Sequence, residues 1–133
     1  MTTDLWMLVC SAVLCLLLPS VYGVGRMQMP GGWEWALGNR DTPVKEPPWA
    51  ARAQRAHANL VENLAPFTAL VLVAHVSGAA NWLTALGATL FFLGRVAHAI
   101  VYTAGITGLR TAVFFVATGG ELLILLALLG STA

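Results

Sequence analysis

The sequence predicts an all-α integral membrane protein, a bundle of four spanning helices, and three observations lead there. Hydrophobic residues make up 58% of the chain and charged residues only 10%, whereas a soluble domain carries roughly a quarter charged residues. Mean hydropathy is +0.76, so the chain cannot clothe a globule of its own size in polar groups. Four apolar stretches, rich in Leu, Ala and Val and without strand-like alternation, each approach the roughly 20 residues that cross a bilayer as a helix. A helix satisfies its own backbone polar groups where no water can. The same composition excludes other classes. Seven Lys+Arg against six Asp+Glu leave no basic excess for nucleic-acid phosphates, and the wealth of aliphatic residues excludes disorder. A length of 133 residues leaves room for one domain.

The first span is expected over residues 5–24. Its leader, Met1 to Asp4, lacks the positive charge of a signal peptide, so it reads as a retained helix, kinked or ended near Pro19. Cys10 and Cys15 lie inside it on different faces and suggest neither a disulfide nor a metal site. A polar loop over residues 26–48 follows, turn-rich between Gly38 and Pro43. Pro47 and Pro48 then open a helix near residue 49, since proline suits a first helical turn, and its apolar part covers residues 59–76. A short turn at Ser77-Gly78 leads to the third span, residues 82–104, and Gly105 to Gly108 lead to the fourth, residues 109–129.

Basic residues set the expected orientation. Arg26, Arg40, Lys45, Arg52 and Arg55 flank the first connection and Arg110 the third, while the termini and the Ser77 turn carry none. The positive-inside rule then puts both termini on the non-cytoplasmic side and the long loop in the cytoplasm. The expected location is a bacterial inner membrane or its equivalent.

Ionisable groups inside spans are costly and point to function or to structural pairing. On the second helix, Arg52, Arg55, Asn59, Glu62 and Asn63 share one sector of the surface about 100° wide, with His57 pointing away. Glu62 either pairs with an arginine inside the bundle or serves a site. On the third helix Arg95, His98 and Tyr102 share a face, and Arg95 lies about 10 Å deeper than Tyr102 by helical rise. A guanidinium at that depth calls for a carboxylate, for which Glu62 and Glu121 are the deep candidates, and a buried Arg95–Glu121 pair holding two helices in register is expected. Asp4, Glu34, Arg40, Asp41, Lys45 and Glu46 read as solvated termini and loop. His57, His75 and His98 are dispersed, and no HExxH, CxxC, phosphate-loop or Ser-His-Asp pattern occurs, so no metal site is expected. The remaining set suits a small zwitterionic ligand with several carboxylates. Guanidinium groups grip carboxylates in a planar fork, Glu62 can hold an ammonium, and Asn59 and Tyr102 can bond amides or a thiol.

Three strings carry a resemblance: Arg55-Ala-His57-Ala-Asn59-Leu-Val-Glu62-Asn63-Leu-Ala-Pro66-Phe67, Arg95-x-x-His98-x-x-x-Tyr102, and Arg110-x-x-x-Phe114-Phe115-Val116-x-x-Gly119. They resemble the MAPEG family, the membrane-associated proteins of eicosanoid and glutathione metabolism, and look most like its microsomal glutathione transferase branch. The resemblance implies a homotrimer with glutathione, as co-substrate, held between neighbouring subunits near the cytoplasmic face. Arg55, His57, Asn59 and Glu62 match glutathione-holding positions, and Arg26 matches a first-helix arginine. Arg52 and His98 join the binding set through the stripe and face they share. Tyr102 matches a ligand-contacting tyrosine and Arg110 the arginine that stabilises the thiolate. The implied reaction is attack of that thiolate on a hydrophobic electrophile, or reduction of a lipid hydroperoxide, arriving through the bilayer. The chain differs from the family at Gln54, where an arginine is frequent. Asn63 and His98 replace tyrosines of the leukotriene synthase branch, which argues against leukotriene chemistry. A non-catalytic membrane subunit or scaffold that keeps the polar stripe for assembly is the other reading, and binding of another thiol or a lipid-like ligand a third.

Overall fold

The computed structural model describes residues 1–131 and is helical throughout its ordered elements. In chain order these are α1 (Thr3–Met27), α2 (Gly32–Leu37), α3 (Pro48–Val76), α4 (Trp82–Ala104) and α5 (Thr107–Ser131). By length and composition, α1, α3, α4 and α5 are each apolar enough to cross a membrane. The loop between α1 and α3 and the connection between α4 and α5 lie at one end of the bundle, called here the loop end.

Two boundaries differ from expectation. α1 does not end at Pro19 but continues to Met27, because a proline in a membrane helix has neighbouring helices to compensate its missing donor. The expected loop contains α2, which begins after Gly31 in the left-handed conformation (φ 74°). Six residues are too few for a periodic sequence signal. What holds them is Trp35, whose indole lies 5.7 Å from the Arg26 guanidinium and 5.2 Å from that of Arg40.

Helix packing follows the small residues. The α4–α5 contact is the most extensive in the molecule, and its seam is lined by Gly87 and Gly94 facing Gly120 and Ala117. A Cβ at Gly94 would stand 2.9 Å from both the Cβ and the backbone nitrogen of Ala117. Glycine therefore lets the two backbones approach, the device by which membrane helices gain dispersion contacts in place of a hydrophobic driving force. Gly25 serves α1 against α3 in the same way, facing Ala50 and Trp49. The central core stacks Phe67 of α3 on Phe91 of α4, with ring centroids 3.8 Å apart, and closes around them with Val71, Ala74, Ala88, Ala117 and Ile124.

At the opposite end Asp4 is not a solvated terminal charge but 2% exposed. Its Oδ1 accepts from the Leu5 amide at 3.2 Å and its Oδ2 from the Thr84 hydroxyl at 3.3 Å, so α1 is fastened to the first turn of α4. That turn is closed by a reciprocal cap. The Asn81 side chain accepts from the amides of Leu83 and Thr84, and Thr84 Oγ1 accepts from the Asn81 amide. Asn81→Ala is expected to lower unfolding stability in micelles by about 1 kcal/mol, seen as a lower thermal midpoint.

Candidate functional site

At the loop end α3, α4 and α5 diverge and leave a cavity of about 560 Å³, within the range of small-molecule sites. Each helix contributes one polar face. α3 supplies Arg55, Asn59 and Glu62, α4 supplies His98 and Tyr102, and α5 supplies Arg110, Thr111, Phe114 and Phe115. The positions follow from helical spacing: 55, 59 and 62, 98 and 102, and 110 with 114 each recur on one face. Of the expected binding residues the structure thus brings six together, namely Arg55, Asn59, Glu62, His98, Tyr102 and Arg110.

Two cations lie against one ring at the mouth. The guanidinium carbon of Arg110 lies 4.8 Å from the centre of the Tyr102 ring and that of Arg55 5.9 Å from it, so one phenol contacts both. Tyr102 in turn stacks on His98 at 5.4 Å, and His98 tilts against Phe114. Glu62 is exposed in the single chain, and no cation lies within 4 Å of it among the described residues, where Arg26–Glu46 is the ion pair that forms. Its pairing with an arginine inside the bundle is therefore not made. Its carboxylate stays available to a ligand.

Beneath the cavity Arg95 departs from expectation. No Arg95–Glu121 ion pair forms among the described residues. Instead Arg95 Nη1 donates to Asn59 Oδ1 at 2.7 Å, and its guanidinium sits between Phe91 and Phe114, 5.0 and 5.3 Å from their ring centres. Two ring faces and an amide make the direct contacts to the charge, while Glu121 acts on it electrostatically without touching it. Arg95 is 2% exposed. Its Nε and Nη2, with Glu121 Oε1 and Thr118 Oγ1, have no hydrogen-bond partner. The bond to Asn59 has a consequence above it, since it occupies the amide oxygen and leaves the amide NH₂ as the donor Asn59 offers the cavity. Asn63 is turned aside, donating to the Asn59 carbonyl at 2.7 Å.

Three expected binding residues lie outside the cavity. Arg26 is bound to Glu46 at 2.7 Å and donates to Gln54 at 2.6 Å, so Glu46 is a partner rather than a plain loop charge, and Gln54 an acceptor for that guanidinium. Arg52 donates from Nε to the Thr103 carbonyl at 2.9 Å, where a cation suits the carboxyl end of α4. His57 turns to α1. Thr111 and Ala58 line the cavity without having been singled out. The signal for Thr111 is its place beside Arg110 on the face that continues to Phe114 and Phe115. Among the described residues no three His, Cys, Asp or Glu side chains gather as a metal site.

The model of the MAPEG family matches residues 5–130 of the chain. The chain belongs to that family. No curated protein matches it.

Proposed function

We propose that this member of the MAPEG family binds glutathione in the cavity between α3, α4 and α5 and presents its thiolate to electrophiles dissolved in the bilayer. Family membership carries a membrane-bound role in glutathione or eicosanoid metabolism in general. The observation that supports the finer reading is the charge pattern of the cavity: two guanidiniums against Tyr102, with the carboxylate of Glu62 about two turns further along α3. Glutathione has two carboxylates, an ammonium and a thiol. Arg55 takes a carboxylate by its planar fork, Glu62 takes the ammonium, and Asn59 donates to a peptide carbonyl.

The chemistry then needs no covalent step on the protein. A free thiol ionises near pH 8.5, and the thiolate is the nucleophile. Arg110, a fixed cation at the cavity edge, favours the anion, and a Tyr102 hydroxyl aimed at sulfur would favour it further. The thiolate attacks an electrophilic carbon, forming C–S while the leaving group departs with the bond pair. With a lipid hydroperoxide it attacks the terminal oxygen instead: the S–O bond forms as O–O breaks, the alkoxide leaves as the lipid alcohol, and a second glutathione thiol displaces water from the resulting sulfenic acid to give the disulfide. Phe114 and Phe115 give the cavity an apolar wall for such substrates.

Association of three copies is part of the proposal. Along α3, Gln54, Ala58, Glu62, Ala65 and Ala69 are exposed in the single chain, a face of small and polar side chains that lipid would leave unsatisfied and that a second helix can approach closely. The loop end is assigned to the cytoplasm because its arginines follow the positive-inside rule. The alternative, a non-catalytic membrane subunit, rests on the same exposed face.

Two assays separate these readings. The purified protein should accelerate glutathione conjugation of a lipophilic aryl halide, or glutathione-dependent reduction of a fatty-acid hydroperoxide, well above the solution rate. Rates equal to solution in both assays would leave the non-catalytic reading standing. Arg95→Met is expected to weaken glutathione binding about tenfold, the equivalent of 1.4 kcal/mol, by freeing Asn59 to turn. Thermal stability should fall as well, because the substitution removes the Asn59 bond and the cation that acts on the half-buried Glu121 carboxylate. Asn59→Ala separates the two effects: it should weaken binding by a similar factor, and glutathione binding unchanged in both variants would contradict the role given to Asn59.

A further inference from the structure

We propose that Cys15 is a second reactive site, a thiol activated by His57 for addition to α,β-unsaturated carbonyl compounds that reach it through the bilayer. The carrying observation is a chain of contacts between α1 and α3 that the glutathione reading does not use. Cys15 Sγ lies 3.5 Å from His57 Nε2, within reach of a sulfur hydrogen bond. On the far side of the ring, His57 Nδ1 lies 3.2 Å from the Tyr22 hydroxyl. Nucleophile, base and a third group that orients the base are the parts an activated nucleophile requires. With Nδ1 protonated and donating to the Tyr22 oxygen, Nε2 is the acceptor for the thiol proton.

The chain continues outward. The Arg26 guanidinium lies 5.2 Å from the Tyr22 ring centre, and Arg26 is paired with Glu46 in the loop. Tyr22 thereby has Arg26 against its ring while its hydroxyl holds the imidazole.

Cys15 packs beside Leu18, Leu60 and Ala99, and access is through the part of it left uncovered. Cys15 is partly exposed, next to Leu16 and Leu17, which are 77% and 58% exposed. Arg26 lies about 16 Å further along the helix by helical rise, so Cys15 sits at mid-span, where apolar electrophiles concentrate. Cys10 provides the contrast. It lies on the same helix with comparable exposure, and no polar partner is seen for its thiol among the described residues.

The step balances without a further reactant. As Sγ bonds to the β-carbon, its proton passes to His57 Nε2 and the alkene pair moves onto the carbonyl as an enolate. The enolate then takes the proton back from the imidazolium. A thioether forms, nothing is oxidised and nothing leaves.

The test compares two thiols in one molecule and does not depend on what the cavity binds. The full-length protein in micelles is treated with N-ethylmaleimide, and adducts at Cys15 and Cys10 are followed by peptide mass spectrometry. Cys15 should react at least about tenfold faster, a conservative share of what a positioned base contributes. His57→Gln should bring it to the Cys10 rate, and Tyr22→Phe should slow it several-fold. Cys10 gauges packing in each variant. If its rate rises in His57→Gln, the ratio of the two rates in Tyr22→Phe decides. Equal rates at both thiols, or a Cys15 rate that neither substitution lowers, overturns the assignment.

Discussion

Replacing Arg110 with alanine is expected to slow glutathione conjugation by about 10²- to 10³-fold, the loss typical when one fixed charge-stabilising group is removed from an active site. Arg110 stands at the edge of the cavity, 4.8 Å from the Tyr102 ring centre, and α5 carries no other basic residue. Its loss leaves Arg55 as the other guanidinium lining the cavity, a residue assigned to a carboxylate. The rate of the variant should therefore keep rising with pH toward the free thiol value of about 8.5, whereas the wild-type rate levels off below it. Arg110→Lys restores charge without the planar fork and should recover part of the rate. A variant that turns over like the wild type, with the same pH profile, would remove Arg110 from the chemistry.

The largest structural effect is expected at Gly120. A Cβ there would meet the Phe91 nitrogen at 2.8 Å and the Gly87 carbonyl oxygen closer still. Both are backbone atoms of α4 and cannot rotate away. Gly120→Val should force α4 and α5 apart, at a cost of about 1–3 kcal/mol or more, read as a lower unfolding midpoint in micelles. The separation reaches function as well, since α4 holds His98 and Tyr102 while α5 holds Arg110 and Phe114. Gly119→Val is the matched control, because a Cβ at that neighbouring position meets nothing within 4 Å. Equal midpoints for the two variants would contradict the close-packed seam.

Much of this architecture is legible in the sequence, for identifiable reasons. Hydrophobic runs long enough to span a bilayer mark α1, α3, α4 and α5 directly, and the helical repeat places Arg55, Asn59 and Glu62 on one face and His98 and Tyr102 on another. Partner choice is less legible, because periodicity says which face a residue occupies and not which neighbour lies opposite. Arg95 and Glu121 look matched by charge and depth, yet the guanidinium rests between Phe91 and Phe114 and bonds Asn59. Arg26 and Arg52 share the right end of the bundle but reach Glu46 and the Thr103 carbonyl instead of the cavity. Asp4 resembles a solvated terminal charge until α4 brings Thr84 against it. In each case contact across helices, which no single-helix pattern encodes, decides the role.

The same distinction separates the cavity from the Cys15–His57–Tyr22 chain. His57 belongs to the most family-like string in the sequence, yet its ring faces α1 rather than the arginines. One strand of sequence thus serves two surfaces of α3, with Arg55, Asn59 and Glu62 on the cavity side and His57 on the other.

The most direct test of the central claim is titration calorimetry of glutathione into the full-length protein in micelles, beside the Arg55→Ala/Arg110→Ala double variant. Saturable binding to the wild type, abolished in the double variant while its unfolding midpoint is retained, is the predicted result. A wild-type isotherm that stays flat into the millimolar range, or binding that survives loss of both arginines, would contradict it.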